Sequence, residues 1–217
     1  MKFIKQALIT AALCFSSVAN ASFVNFDDYT FSSWGNQTKT GTQVVSDNGS
    51  TVTISGNRWV DILHGVTLTS SSILKFTMEA TGLNAELYGI GFETDDTYTY
   101  GSIDNFVFVG GTQIAKITRE NPLTAFGSYA SGDGAVDFTI DVGNYITGLF
   151  DRMVFVLDND KNQSGSFVSF SNVQVCDNAL VCQTLDFGST PIPEPTHLGL
   201  LAMALMVIYS SRRKKMI

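Results

Sequence analysis

The chain is poor in the residues on which most enzyme sites and metal centres depend. Its 217 residues include two histidines, His64 and His197, and three cysteines. A zinc site of the H-E-x-x-H kind needs two histidines four residues apart, so this spacing excludes it. A catalytic base at His64 would need a nucleophile and an orienting carboxylate beside it, and no G-x-S-x-G nucleophile motif occurs. We therefore interpret His64 as a surface or rim histidine.

Proline and helical patterns are also scarce in the central part of the chain. Three of the four prolines lie between residues 191 and 195, and residues 22–190 contain no amphipathic helical pattern of ten or more residues. Instead, apolar residues alternate with others, as at Leu74, Phe76 and Met78, and Gly/Asn/Asp-rich turns separate these segments. The pattern predicts an all-β antiparallel β-sandwich, of jelly-roll type, over residues 22–190. An immunoglobulin-like sandwich is the alternative.

The N-terminus has the three parts of a secretory signal peptide. Lys2 and Lys5 give it a positive start, an apolar stretch follows over residues 7–18, and the small residues Ala-Asn-Ala stand just before residue 22. The apolar stretch is too short to span a membrane comfortably. These features predict a signal peptide over residues 1–21 that is removed during export.

The C-terminal residues 191–217 form a second signal in three parts. They are the motif Pro193, Glu194 and Pro195, an apolar run over residues 198–209, and the basic cluster Arg212, Arg213, Lys214 and Lys215. The run is shorter than the ~20 residues of a typical spanning helix, but long basic side chains beside it can extend the span. We expect a short transmembrane helix whose basic end stays in the cytoplasm, so that the preceding domain lies outside the inner membrane.

This ordered tail, paired with a signal peptide, resembles the PEP-CTERM sorting domain of exopolysaccharide-producing Gram-negative bacteria. The resemblance covers about an eighth of the chain. It implies processing by an exosortase, a membrane transpeptidase-like protease, near the motif of residues 193–195. It also implies release of the domain to the cell surface or the extracellular matrix.

The predicted domain carries a strong excess of negative charge. Residues 22–190 hold 19 of the 20 acidic residues and 7 of the 13 basic ones. Nucleic acids and anionic membrane surfaces repel such a domain, so neither is expected as its partner. Divalent cations and neutral glycans are the ligand classes that this charge favours.

Two cysteines remain after removal of the signal peptide. Cys176 and Cys182 are an even pair in an extracytoplasmic setting, which predicts a disulfide between them. A metal site would need two further ligands, and no histidine lies nearby in the sequence.

One acidic loop has the residue types that calcium prefers. Asp158, Asp160 and Asn162 place hard oxygen ligands at alternate positions. The loop differs from an EF-hand, because Gln163 stands where glycine is needed and Ser169 where the bidentate glutamate should be. Calcium binding is one interpretation, and an ordinary polar turn is the other.

Aromatic residues in polar segments are the candidates for glycan binding. Tyr98 and Tyr100 follow a pair of aspartates in a polar loop. Aromatic faces pack against the C–H surfaces of sugars, while carboxylates accept hydrogen bonds from sugar hydroxyls. We interpret Trp59 as a core residue, and Trp34 has no assignment.

The segment 137–175, with Thr139-Ile-Asp-Val-Gly and Phe155-Val-Leu-Asp, loosely resembles the closing strands of secreted bacterial carbohydrate-binding modules. The E-x-D-x-E triplet of laminarinase-type glycosidases is absent, and Glu79 and Glu86 fit solvated strand positions. The sequence therefore predicts an exported, non-enzymatic surface or matrix protein that binds exopolysaccharide. A purely structural matrix component and a cryptic glycoside hydrolase are the alternatives.

Overall fold

The computed structural model describes residues 23–98, 104–113 and 128–178, all within one compact unit of the chain. Twelve strands occur in these residues: β1 (Ser32–Ser33), β2 (Gln43–Ser46), β3 (Thr51–Ser55), β4 (Arg58–Ile62), β5 (Val66–Leu68), β6 (Ile73–Gly82), β7 (Leu87–Glu93), β8 (Phe106–Gly110), β9 (Val136–Ile140), β10 (Gly148–Phe150), β11 (Arg152–Asp158) and β12 (Ser166–Cys176). Two 3₁₀ helices accompany them, Phe26–Asp28 and Val142–Asn144.

The predicted signal peptide over residues 1–21 and the sorting tail over residues 191–217 lie outside the described residues. Within the described part of the chain, no helix has the length and apolar character needed to cross a membrane.

Ten of the strands form two five-stranded sheets. Sheet A has the order β1-β4-β11-β7-β8 and sheet B the order β2-β3-β12-β6-β9, with all neighbours antiparallel. The other two strands, β5 and β10, pair with each other. The chain passes repeatedly from one sheet to the other, as at β3–β4, β6–β7 and β11–β12, which is connectivity of the jelly-roll kind. The predicted all-β antiparallel sandwich is confirmed.

The main core lies between the two sheets and follows from the alternation of side chains along each strand. On β3, Val52 and Ile54 point inward and are fully buried, while the residues between them are part-exposed. Phe155 of β11 joins the sheets, because its ring lies 5.6 Å from that of Phe170 on β12 and 5.3 Å from that of Phe26. Burying each such ring contributes about 1.5–3 kcal/mol to stability.

The outward faces of the two sheets differ in chemistry. Sheet B presents hydroxyl and charged groups: Thr53 and Ser169 are hydrogen-bonded at 2.8 Å, and Thr77 donates to Asp137 at 2.6 Å. Sheet A instead carries a second buried apolar cluster on its outward face. Its members are Trp34, Trp59, Leu87, Phe106, Phe108, Val154 and Val156. The outward face of a sandwich sheet is normally polar, because water covers it. Since the outward residues of sheet A are apolar and buried, other residues must cover them and form an outer layer.

Cys176 ends β12 and is buried beside Ile73. Its sulfur is held in a disulfide. Cys182 lies outside the described residues, so the pairing of Cys176 with Cys182 stays a prediction.

The inward and outward faces of β12 allow a matched test of the core. Phe170 is fully buried, whereas Phe167 on the same strand is 46% exposed. We expect Phe170→Ala to lower the free energy of unfolding by about 3–5 kcal/mol and Phe167→Ala to change it by less than about 1 kcal/mol. Guanidinium unfolding followed by fluorescence measures both, and equal losses in the two variants would contradict the assignment of the faces.

Candidate functional site

Five aromatic side chains form a layer on the outward face of sheet A. This aromatic layer consists of Trp34, Trp59, Tyr98, Phe106 and Phe108. Trp34 and Trp59 are stacked with ring centroids 5.6 Å apart, and Phe106 and Phe108 are stacked at the same distance. Trp59 also contacts Phe106 at 5.5 Å, which joins the two stacks into one surface.

Two glycines on β7 allow the phenylalanine rings to lie flat on the sheet. Gly91 is paired with Phe106 and Gly89 with Phe108 across the β7–β8 ladder. A Cβ atom at Gly91 would collide with the ring of Phe106, and one at Gly89 would come within 2.8 Å of the ring of Phe108. The aromatic layer therefore depends on the absence of side chains at these two positions of the neighbouring strand.

Tyr98 lies at the edge of the aromatic layer and is held there by its own segment. Its ring meets Trp34 edge-on at 6.1 Å and Trp59 edge-on at 5.9 Å. Trp34 donates from Nε1 to the carbonyl oxygen of Asp95 at 3.0 Å, and the backbone N–H of Gly35 donates to Asp96 at 2.6 Å. These two bonds fasten the segment after β7 to the residues after β1.

Gly35 is required for this contact. Its φ of +57° lies in the left-handed region, which favours glycine. A Cβ atom there would also lie 2.7 Å from the Cβ atom of Tyr98.

The predicted glycan-binding residues have different outcomes. Tyr98 is half-buried and packs on the two tryptophans, whereas Tyr100 lies outside the described residues. Trp34 and Trp59 are 1% and 3% exposed, so they support Tyr98 and do not offer open faces. Trp59 is buried as expected, but it belongs to the outer layer of sheet A and not to the core between the sheets.

A row of charged groups crosses sheet A beside the aromatic layer. Asp61 of β4 accepts a hydrogen bond from Nη1 of Arg152 on β11 at 2.5 Å, and Arg152 is directly opposite Glu93 of β7. Asp61 is 2% exposed. Burial raises the pKa of Asp61, although the guanidinium of Arg152 opposes this rise.

Glu93 in this row has a strongly raised pKa. Burial raises its pKa from 4.5 to about 7, and the charge of Asp95 adds to the rise. A hydrogen bond from Asn105 and the charge of Arg152 act in the opposite direction. Near neutral pH the group therefore exists in both protonation states, so the row carries less negative charge than its residue types suggest.

Each of the three predicted calcium ligands is hydrogen-bonded to a different residue. Asp158 accepts a hydrogen bond from Nε1 of Trp59 at 3.2 Å, and burial raises its pKa to about 6. Asp160 accepts from Nδ2 of Asn57 at 2.6 Å, and Asn162 donates to Asn159 at 3.4 Å. In the described ranges no group of three His, Cys, Asp or Glu residues is arranged to hold a metal ion.

The other polar residues singled out in the sequence lie away from the aromatic layer or have structural contacts. His64 is half-buried, and its Nδ1 is 2.6 Å from the hydroxyl of Tyr29. Burial lowers the pKa of His64. Glu79 is exposed on sheet B, as expected, and Glu86 accepts a hydrogen bond from the backbone N–H of Lys161 at 2.9 Å.

Sequence reasoning did not identify Asp61, Glu93 and Arg152 as site residues. A signal for Asp61 was present, because a charged residue inside the apolar run Trp59-Val-Asp-Ile is unusual in a strand. The Gly89-x-Gly91 alternation was a second signal, since glycine in a strand often marks the close approach of another group.

Comparisons with known proteins give structural similarity alone. No protein-family model and no curated protein matches the chain. A family 29 carbohydrate-binding module is 16% identical, with 72% of this chain and 85% of that chain covered and a TM-score of 0.40. SGBP-B from a complex xyloglucan utilization locus in Bacteroides uniformis is 14% identical, with 73% and 49% covered and a TM-score of 0.41. The glycoside hydrolase domain of Endo-D from Streptococcus pneumoniae is 12% identical, with 70% and 22% covered and a TM-score of 0.40.

The raised pKa of Glu93 predicts how stability changes with pH. The folded protein holds a proton that the unfolded chain releases, so this contribution is complete below about pH 4.5 and is lost as the pH rises through about 7. Asp158 acts in the same direction through about pH 6. We expect the melting temperature to fall between about pH 5 and pH 8, and Glu93→Gln to make the fall smaller.

Glu79→Gln is the matched control, because Glu79 is exposed on the outward face of sheet B. This variant should keep the full decrease in melting temperature. Calorimetry at a series of pH values measures all three proteins. A decrease in Glu93→Gln as large as in the wild type would show that Glu93 does not titrate as described.

Proposed function

We propose that this protein is an exported, non-enzymatic glycan-binding protein that holds neutral polysaccharide at the outward face of sheet A. One observation supports this most directly. An aromatic layer lies outside the sandwich core, with Tyr98 at its edge and carboxylates at both of its ends, Asp61 and Glu93 at one and Asp158 at the other.

The chemistry of this face suits a sugar. An aromatic ring offers an apolar surface to the C–H groups of a pyranose, and flanking carboxylates accept hydrogen bonds from its hydroxyls. Tyr98 combines both features, because its half-buried ring packs edge-on against Trp34 and Trp59 while Asp95 and Asp96 precede it in the same segment. The two hydrogen bonds to Trp34 and Gly35 position it before a ligand arrives.

The charge of the domain selects among polysaccharides. With 19 acidic and 7 basic residues over residues 22–190, the domain repels acidic polymers. Neutral exopolysaccharide is therefore the proposed ligand class.

The sequence signals at the two ends of the chain support a location outside the cytoplasm. In this proposal the signal peptide over residues 1–21 directs export, and the tail over residues 191–217 holds the protein in the inner membrane. An exosortase-type enzyme then acts near residues 193–195 and passes the domain to the cell surface or the matrix.

Replacement of Tyr98 tests the binding site. We expect Tyr98→Ala to weaken polysaccharide binding about tenfold, because the sugar loses its aromatic contact, and Tyr98→Phe to retain most of it. Affinity electrophoresis in gels that contain β-1,3-glucan, β-1,4-glucan, galactomannan or xylan measures the change.

Phe167→Ala is the control, because it removes a part-exposed aromatic ring from the outward face of sheet B. It should bind like the wild type. If the wild type binds no neutral polysaccharide, including that of the producing cells, the structural-component alternative replaces glycan binding. Release of reducing sugar by the wild type would instead favour the glycoside hydrolase.

Intact mass after cell fractionation tests export and sorting. We expect a species that begins at Ser22, ends between Pro193 and Pro195, and is found outside the cell. A species in the inner membrane that retains the basic residues 212–215 would mean that the tail acts as an anchor and is not processed.

A further inference from the structure

We infer that Asp61 and Arg152 form a hydroxyl-binding subsite beside the aromatic layer, which takes two neighbouring hydroxyl groups of a neutral sugar. This inference rests on the proposed glycan binding. It adds a second set of ligand contacts beside those of Tyr98.

The ion pair is incompletely satisfied. Oδ2 of Asp61 accepts from Nη1 of Arg152. Oδ1 of Asp61 and Nε of Arg152 are both buried, and neither has a hydrogen-bond partner among residues 23–98, 104–113 and 128–178. One buried acceptor and one buried donor therefore remain within a single pair of side chains.

A purely structural ion pair would be expected to have another geometry. Arginine and carboxylate groups commonly form two parallel hydrogen bonds, which would use both oxygens of Asp61 and two nitrogens of Arg152. Buried polar atoms without partners cost free energy and are rare in folded proteins. The observed single contact leaves the two atoms available to a third group.

The position of the pair places it within the proposed site. Asp61 and Trp59 lie two residues apart on β4 and so share its outward face. Arg152 lies between Asp61 and Glu93 across three adjacent strands. The carboxylate of Asp96, in the segment that holds Tyr98, contributes to the raised pKa of Asp61.

A pair of hydroxyls matches both atoms. The first hydroxyl donates its proton to Oδ1 of Asp61, and the oxygen of the second accepts from the Nε–H group of Arg152. A cation would be attracted to Asp61 but repelled by Arg152, and the reverse holds for an anion. A neutral diol is the ligand that satisfies both groups without opposing either charge.

Access to the subsite depends on the arginine. Both atoms are buried, but the side chain of Arg152 is 17% exposed and that of Asp61 2%. A shift of the Arg152 side chain toward solvent that keeps the contact between Nη1 and Oδ2 opens the space beside Oδ1, and the sugar completes the hydrogen bonds that the pair lacks.

A double variant separates binding from folding. Asp61→Leu combined with Arg152→Met removes both charges and all their hydrogen bonds, a change that folded proteins often tolerate without loss of stability. We expect the full-length double variant, purified in detergent, to keep its melting temperature and to lose at least about tenfold in affinity for the neutral polysaccharide that the wild type binds.

Arg152→Lys is the second variant, since it keeps the positive charge and removes the Nε–H donor. This variant tests the subsite even if the double variant does not fold. It too should bind the polysaccharide at least about tenfold more weakly than the wild type. Asp137→Asn, on the exposed outward face of sheet B, is the control and should bind like the wild type.

The outcomes distinguish the subsite from the function that contains it. If the wild type binds none of the four polysaccharides or the matrix of its own cells, glycan binding fails, and the subsite with it. If the wild type binds, Tyr98→Ala weakens it, and both pair variants bind normally, the subsite alone is overturned. A partially O-methylated form of the bound polysaccharide should bind less well to the wild type but no less well to the double variant.

Discussion

Sheet A has to bury apolar side chains on both of its faces. On β4, Val60 and Ile62 face sheet B, while Trp59, directly before Val60, faces outward and is also buried. Because apolar surface contributes about 25 cal/mol for each Å² removed from water, an outward indole needs a cover of its own. Trp34 and Tyr98 supply part of that cover, and the hydrogen bonds to Asp95 and Asp96 hold it in place.

The same cover determines the electrostatics of the site. Asp61, Glu93 and Asp158 lie on the outward face of sheet A, and burial is the largest cause of the raised pKa of each. Asp137 and Glu79 on the outward face of sheet B are exposed instead, and Asp137 accepts a hydrogen bond from the hydroxyl of Thr77. The two five-stranded sheets thus give their acidic residues opposite environments, because sheet A has a third layer and sheet B has none among the described residues.

The alternation of apolar residues was enough to predict the strands and the sandwich, since Leu74, Phe76 and Met78 of β6 face the core as the pattern requires. It could not predict the outer layer, because a strand buried on both faces loses its alternation. The contacts that build the site also join distant segments: Arg152 meets Asp61 across 91 positions of sequence. The alternate oxygen ligands at 158–162 left open a calcium site or a polar turn, and in the structure Asp158 and Asp160 are hydrogen-bonded to Trp59 and Asn57.

The ion pair gives a physical reason for preferring a neutral ligand that is independent of the net charge of the domain. An acidic polymer would have to compete with Asp61 for Arg152, and a metal ion would have to compete with Arg152 for Asp61. Either displacement leaves a buried charge without its partner, which costs roughly 3–5 kcal/mol. A sugar hydroxyl adds a hydrogen bond to each group and leaves the pair intact. The proposed site would thus discriminate by the penalty it imposes on charged ligands as much as by the contacts it offers to neutral ones.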